Sequence, residues 1–251
     1  MVLPNLLAMF SSPSIMPPQD TGSLIQVIFR WFHFLAGVTW IGLLYFFNLV
    51  NVPFMKEMDA ATKGKIVPSL MPRALWWFRW GAVITVLAGL ALWGTIVGPD
   101  ARNGGGSAGR AMGVFFLIWT VVFLCIYVAI MVVKINKGPI LATIVIILVA
   151  LGAYLFLSWN NHGWESNRML SIGIGGGLGW VMMMNVWGII WRNNKKTIQW
   201  TKDNAANGTP IPAQSAALAR MAFLASRTNA WLSLPMLFFM AAASHYPFLG
   251  R

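Results

Sequence analysis

Residues 24–49 read LIQVIFRWFHFLAGVTWIGLLYFFNL, and Arg30 is the only charged side chain among them. A helix rises 1.5 Å per residue, so about 20 such residues cross a hydrocarbon core of roughly 30 Å with every backbone polar group paired inside the helix. The stretch therefore reads as a membrane span. Five further stretches meet the same requirement, approximately residues 75–97, 111–133, 140–159, 170–191 and 228–246. The whole chain agrees: its 251 residues are 58% hydrophobic and 10% charged, with a mean hydropathy of +0.67, against about 25% charged in a soluble domain. The expected fold class is all-α, a polytopic membrane bundle of about six transmembrane helices, with a short interfacial helix at residues 213–227 before the last span.

The formal charge of +12 raises nucleic acid as a partner. That reading needs a clustered basic face with stacking aromatics, and the positions of the charges exclude it. With the N-terminus outside, the inner loops hold thirteen Lys and Arg, from Lys56 to Arg227, and the outer side holds four: Arg102, Arg110, Arg168 and Arg251. This positive-inside bias predicts a multi-pass membrane protein with both termini on the outer or periplasmic side and lysines facing anionic lipids. The first twenty residues have a short apolar run without a basic n-region, which argues against a cleaved secretory signal. The expected organisation is an outer N-terminal segment, residues 1–23, followed by one membrane helical domain, residues 24–251. Residues 98–110 (GPDARNGGGSAGR) read as a flexible connector, and residues 193–215 as a polar, turn-rich segment. Cys125 stands alone, excluding an intrachain disulfide or a cysteine-based cluster, and reads as a small buried apolar residue.

Residues 173–180 (GIGGGLGW) have the wrong spacing for a dinucleotide fingerprint, and no strand precedes them. Gly173 and Gly177, like Gly175 and Gly179, are four apart, a pattern that lets a neighbouring backbone come close and equally leaves room for a flat ligand.

Three histidines, His33, His162 and His245, all fall in the outer half of this topology. An ionisable group inside a span is costly, so it faces the bundle interior and has a partner. Arg30 and His33 are three apart on one helix face, and Gly37 and Trp40 continue that face. An imidazole, a guanidinium and space beside an aromatic ring suit haem b, which needs a nitrogen for iron, a cation for a propionate and room for the macrocycle. Equally, His33 can hydrogen-bond to a neighbouring helix, Arg30 can snorkel to the interface, and His245 can be an interfacial residue before a proline. The outer loop SWNNHGWESNR, residues 158–168, reads either as a solvated turn in an aromatic belt or as a substrate mouth. In the second reading Asn161 and Arg168 bind substrate, and His162 and Glu165 act as acid or base.

RWFHFLAGVTWIGLLYFFNLV, residues 30–50, and ASRTNAWLSLPMLFFMAAASHYP, residues 225–247, resemble the membrane domain of the bacterial membrane-bound urate oxidases, also called urate hydroxylases. A histidine followed by Trp-x-Gly also resembles copper-resistance D-type proteins and haem-binding membrane protoporphyrinogen oxidases. The wider resemblance implies haem b near His33; that His33 and His245 together hold the iron is an expectation from the chemistry of two imidazoles on the same side of the membrane. The resemblance to the urate oxidases implies oxidation of urate to 5-hydroxyisourate and delivery of electrons to cytochrome c. The family typically carries a cytochrome c domain after its membrane part, whereas this sequence contains no Cys-x-x-Cys-His. The expected electron acceptor is therefore a separate periplasmic cytochrome c. The alternative is a non-catalytic or electron-relay subunit of a larger respiratory or photosynthetic complex, with other membrane subunits as partners. A transporter ranks last, because no inverted repeat is visible and only six acidic residues are present.

Overall fold

The computed structural model describes residue 18, residues 20–247 and residue 249. The N-terminal apolar run and most of the outer segment expected at residues 1–23 lie outside the described residues. Among the described residues there are six long helices and no strand.

The first, α1 (Thr21–Tyr45), continues through a π-helical stretch (Phe46–Asn51) into Val52–Glu57. Then come α2 (Ala60–Gly104) and α3 (Ala108–Tyr127, with a π-helical end at Val128–Val132), followed by α4 (Gly138–Trp159). The fifth, α5 (Asn167–Asn185), also passes through a π-helical stretch (Val186–Trp191) into Arg192–Asn207, and α6 is Ser215–His245. The helix starts are written in the sequence. Asp20, Asp59, Ser107 and Ser166 each accept a hydrogen bond from the backbone N–H three residues on, satisfying donors the first turn leaves open. Gly105 and Gly208 end α2 and the α5 extension in the left-handed conformation, at φ of 70° and 67°.

Five helical stretches are long and apolar enough to cross a membrane: Thr21–Glu57, Ala60–Gly104, Ala108–Val132, Gly138–Trp159 and Asn167–Asn207. The sixth helix is long enough at 31 residues, but Thr228, Asn229, Ser233 and His245 dilute its hydropathy. The protein is a multi-pass membrane protein. Apolar side chains such as Leu117, Val132 and Ile147 project outward, 56%, 64% and 59% exposed, as lipid-facing groups do.

Four local expectations are corrected. No separate interfacial helix precedes the last span, because residues 215–227 are rich in Ala, Leu, Arg and Met, good helix formers that carry α6 on without a break. The glycine-rich connector shrinks to residues 105–107: α2 runs on through Pro99 to Gly104. Here the missing side chains have a packing purpose, since a Cβ at Gly104 or Gly106 would lie 2.2 or 2.3 Å from Trp164. Residues 193–207 are helix, not turns, so α2 and α5 both extend past the apolar core, and Gly64 of one lies against Ala205 of the other. At 45 residues α2 is roughly 68 Å long, more than twice the core thickness. Cys125 is exposed, on the lipid side of α3, while its neighbours Phe123 and Ile126 face inward.

The glycines of α5 are the packing centre. A Cβ at Gly177 would lie 2.0 Å from the Trp119 indole of α3, and one at Gly175 would lie 3.1 Å from the Met236 carbonyl of α6. Amides hold the inner half: Asn48 donates to Ser226 Oγ at 2.9 Å, and Asn185 donates to Asn229 Oδ1 at 2.9 Å. Such interhelical bonds are worth about 0.6 kcal/mol each in lipid. Toward the outer half α1 leans on α2, α5 pairs with α6, and a cleft opens between the two pairs.

Candidate functional site

The cleft consists of two connected cavities that share His33, Phe34, Gly89, Trp93, Ile172, Leu237 and Met240 as walls. The deeper one, about 530 Å³, is an apolar slot. On α1 it is bounded by Gly37, Trp40, Ile41 and Tyr45, on α5 by Gly176 and Gly179, and on α6 by Met236. Of the two readings the spacing allowed, helix packing is seen at Gly173, Gly175 and Gly177, and Gly176 and Gly179 line open space.

The outer cavity, about 710 Å³, has a different lining: Gln26 and Arg30 from α1, Thr95 from α2, Arg168 from α5, and Ser244 and His245 from α6. No carboxylate lines it, and neither arginine has an ion pair or hydrogen bond among the described residues. Both volumes fall in the range of about 300–1,000 Å³ that small-molecule sites occupy.

His33 stands at the junction. Its Nδ1 lies 2.7 Å from the Thr85 carbonyl of α2. A carbonyl only accepts, so Nδ1 carries a proton, and in the neutral imidazole Nε2 is the nitrogen that keeps a lone pair. A bond of this kind, from one ring nitrogen to a backbone carbonyl, is what orients an imidazole whose other nitrogen binds a metal. The ring has space only because position 89 is glycine: a Cβ there would lie 2.8 Å from His33 Cε1. Thr85 Oγ1 donates to the Gly81 carbonyl at 2.7 Å, which fixes the rotamer beside Gly37. Trp93 Nε1 donates to the Met169 carbonyl at 3.0 Å, tying α2 to α5 where the two cavities meet.

The residues singled out in sequence separate into two groups. Arg30, His33, Arg168 and His245 come from three helices and meet on the outer cavity. Gly37 and Trp40 line the slot with His33, as their helical spacing requires. Asn161, His162 and Glu165 line neither cavity. His162 donates through Nδ1 to Glu165 Oε1 at 2.7 Å and through its backbone N–H to Oε2 at 2.9 Å, so both oxygens of this buried carboxylate are taken within one turn. Asn161 is exposed beside them. Thr85 and Gly89 are absent from the sequence expectations: a threonine carbonyl and a glycine mid-helix carry no signal until α1 is laid against α2. Gln26 and Ser244 were likewise unmarked.

Chemically, the cleft can supply one imidazole nitrogen at the mouth of an apolar slot, a second imidazole in the outer cavity, and two cations for anionic groups. Those are the donors that haem b asks of a protein, and the residues present fit it. A bare metal ion finds less: among the described residues no three His, Cys, Asp or Glu side chains cluster.

The family described as Urate oxidase N-terminal matches residues 57–250, from the end of the α1 extension to beyond α6. The match covers Thr85, Gly89, Arg168 and His245, while Arg30 and His33 precede it. No curated protein and no solved structure matches the chain. With more than three quarters of its length matched, this chain belongs to the membrane-bound urate-oxidase-like family.

Proposed function

We propose that the protein is a haem b oxidoreductase of the bacterial inner membrane, both termini outside, that oxidises urate or a similar small anionic heterocycle at the outer face. A separate periplasmic cytochrome c takes the electrons. One observation carries this reading: Arg30, His33, Arg168 and His245, which were chosen for their chemistry, converge on one cavity beside an apolar slot.

In this reading His33 Nε2 is the iron ligand, and Thr85 holds its ring through Nδ1. Gly37, Gly176 and Gly179 leave room for the macrocycle, and Trp40 and Met236 keep water from it. Haem b, when bound, supplies a one-electron relay between an organic donor that gives up two electrons and a protein acceptor that takes one at a time. Arg30 and Arg168 neutralise anionic groups, propionate and substrate respectively, as charge-assisted donors. Converting urate to 5-hydroxyisourate adds the oxygen of one water and releases two electrons and two protons. His245 would either help hold the iron or accept a proton. The cleft, rather than the His162–Glu165 pair, is where we place the chemistry.

The test is urate-dependent reduction of added cytochrome c by the purified protein, alongside its haem spectrum. Turnover that falls in His245→Ala with an unchanged spectrum assigns His245 to proton transfer, and a changed spectrum assigns it to iron. No haem and no cytochrome c reduction would end the enzyme reading.

One observation favours the alternative of a relay subunit in a larger complex: residues 21–32 of α1 are exposed along their whole length, as a helix covered by another subunit would be. Stoichiometric co-purification with unrelated membrane subunits, without turnover, would select it.

A further inference from the structure

On the side of the bundle away from the cleft, a groove of about 830 Å³ runs between α4 and α6. Its floor is buried, formed by Ile174 and Leu178 of α5, and its rims, Ile146 and Trp231, are 67% and 65% exposed. The groove exists because α4 turns small residues, Ala142, Ala150 and Ala153, toward it, while α6 carries Pro235 there. Its lining is apolar except at the inner end, where Arg227 and Thr228 stand.

The two inner arginines of α6 differ. Arg220 is occupied, donating to Asn136 Oδ1 at 2.8 Å and to the Asn136 carbonyl at 2.9 Å, which pins the turn before α4. Arg227, two turns further on, is half-buried, and its contact is the Phe223 ring, 5.2 Å away. It has no ion pair or hydrogen bond among the described residues. A half-buried guanidinium at the charged end of an otherwise apolar groove is suited to an anion. The chain cannot supply one from a second copy's span, since its six carboxylates, Asp20, Glu57, Asp59, Asp100, Glu165 and Asp203, all lie at helix ends, in turns or on the inner extension.

We propose that this groove binds one phospholipid with an anionic headgroup, its phosphate at Arg227 and an acyl chain along the Ile174–Leu178 floor. Such an occupant is charged at one end and apolar over the rest, as the groove is. Basic pockets between helices on the Lys/Arg-rich side of a membrane are suited to anionic headgroups. The bound chain would fill the space between α4 and α6 that side chains leave open.

The test is native mass spectrometry of the full chain in neutral detergent, stripped of lipid and titrated with phosphatidylglycerol or with phosphatidylcholine of the same acyl chains. One phosphatidylglycerol should bind about fivefold more tightly than phosphatidylcholine, the effect of one basic residue near the surface. Arg227→Gln should erase that preference and Arg227→Lys should keep part of it. Ala150→Trp, which fills the groove at an exposed position away from the charge, should weaken both lipids. Equal binding of the two lipids by the native protein, or a preference unchanged in Arg227→Gln, overturns the proposal. So does a dimer in which Ile146 and Trp231 are buried against a second copy.

Discussion

The cleft and the outer loop of residues 160–166 hold the same kinds of side chain and treat them in opposite ways. In the loop, His162 and Glu165 satisfy each other within one turn, and Asn160 donates back to the Phe156 carbonyl at 2.9 Å. In the cleft, Arg30 and Arg168 have no partner from the chain, and His33 is held by one nitrogen only. A mutually paired imidazole and carboxylate build structure. Imidazole and guanidinium groups that three helices bring to one cavity without counter-charges leave their capacity for something that is not protein.

That contrast can be broken, and the largest effect should come from Gly89. Gly89→Ala puts a Cβ 2.8 Å from His33 Cε1 and forces the ring off the Thr85 carbonyl. We expect most of the haem absorbance to be lost while thermal stability barely changes, because the imidazole can swing into the open cleft. Absorbance per protein, read beside a melting curve, checks both halves. Next, Arg30→Gln and Arg168→Gln each remove a cation from the outer cavity, and because both side chains are exposed, solvent screens part of the effect. Arg168→Gln should raise KM for an anionic substrate about threefold, and Arg30→Gln should loosen haem, measured by its rate of loss to apomyoglobin.

In the loop the outcome reverses. Glu165→Ala should lower stability by about 1–2 kcal/mol, a figure reduced by the partial exposure of His162, and leave the haem spectrum unchanged. A spectrum that changes as much as in the cleft variants would merge the two regions into one site. The smallest effect lies at Asp59, which caps α2 outside the membrane. Hydrogen bonds from the Thr62 backbone, and then from its side chain, hold the Asp59 carboxyl below its ordinary pKa of 3.8. A depressed carboxylate stabilises the fold above its unfolded value and loses that contribution as pH falls through the folded one. The first turn of α2 should therefore fray below about pH 3.8, seen as faster amide exchange at Thr62 and Lys63, and Asp59→Ala should abolish that pH dependence.

The bundle was legible because lipid imposes length and apolarity on each span, and residues 24–49 announced both. The helix extensions were not, since Lys, Asn and Gly outside the membrane read as loop until the α2 and α5 ends are seen paired at Gly64 and Ala205. Half of the site could be read from spacing: Arg30, His33, Gly37 and Trp40 share one helix face, which depends only on 3.6 residues per turn. That Arg168 and not His162 would turn to the cleft could not be read, because it depends on Ser166 capping α5 and donating to Asp100 at 2.5 Å. Gly89 and Thr85 were invisible for the same reason, a contact between two helices 52 positions apart in sequence.

The most direct measurement is the reduced-minus-oxidised visible spectrum of the purified protein beside His33→Ala and His162→Ala. The account predicts a haem b spectrum that His33→Ala abolishes and His162→Ala leaves intact. A full spectrum in His33→Ala, or its loss in His162→Ala alone, would contradict it.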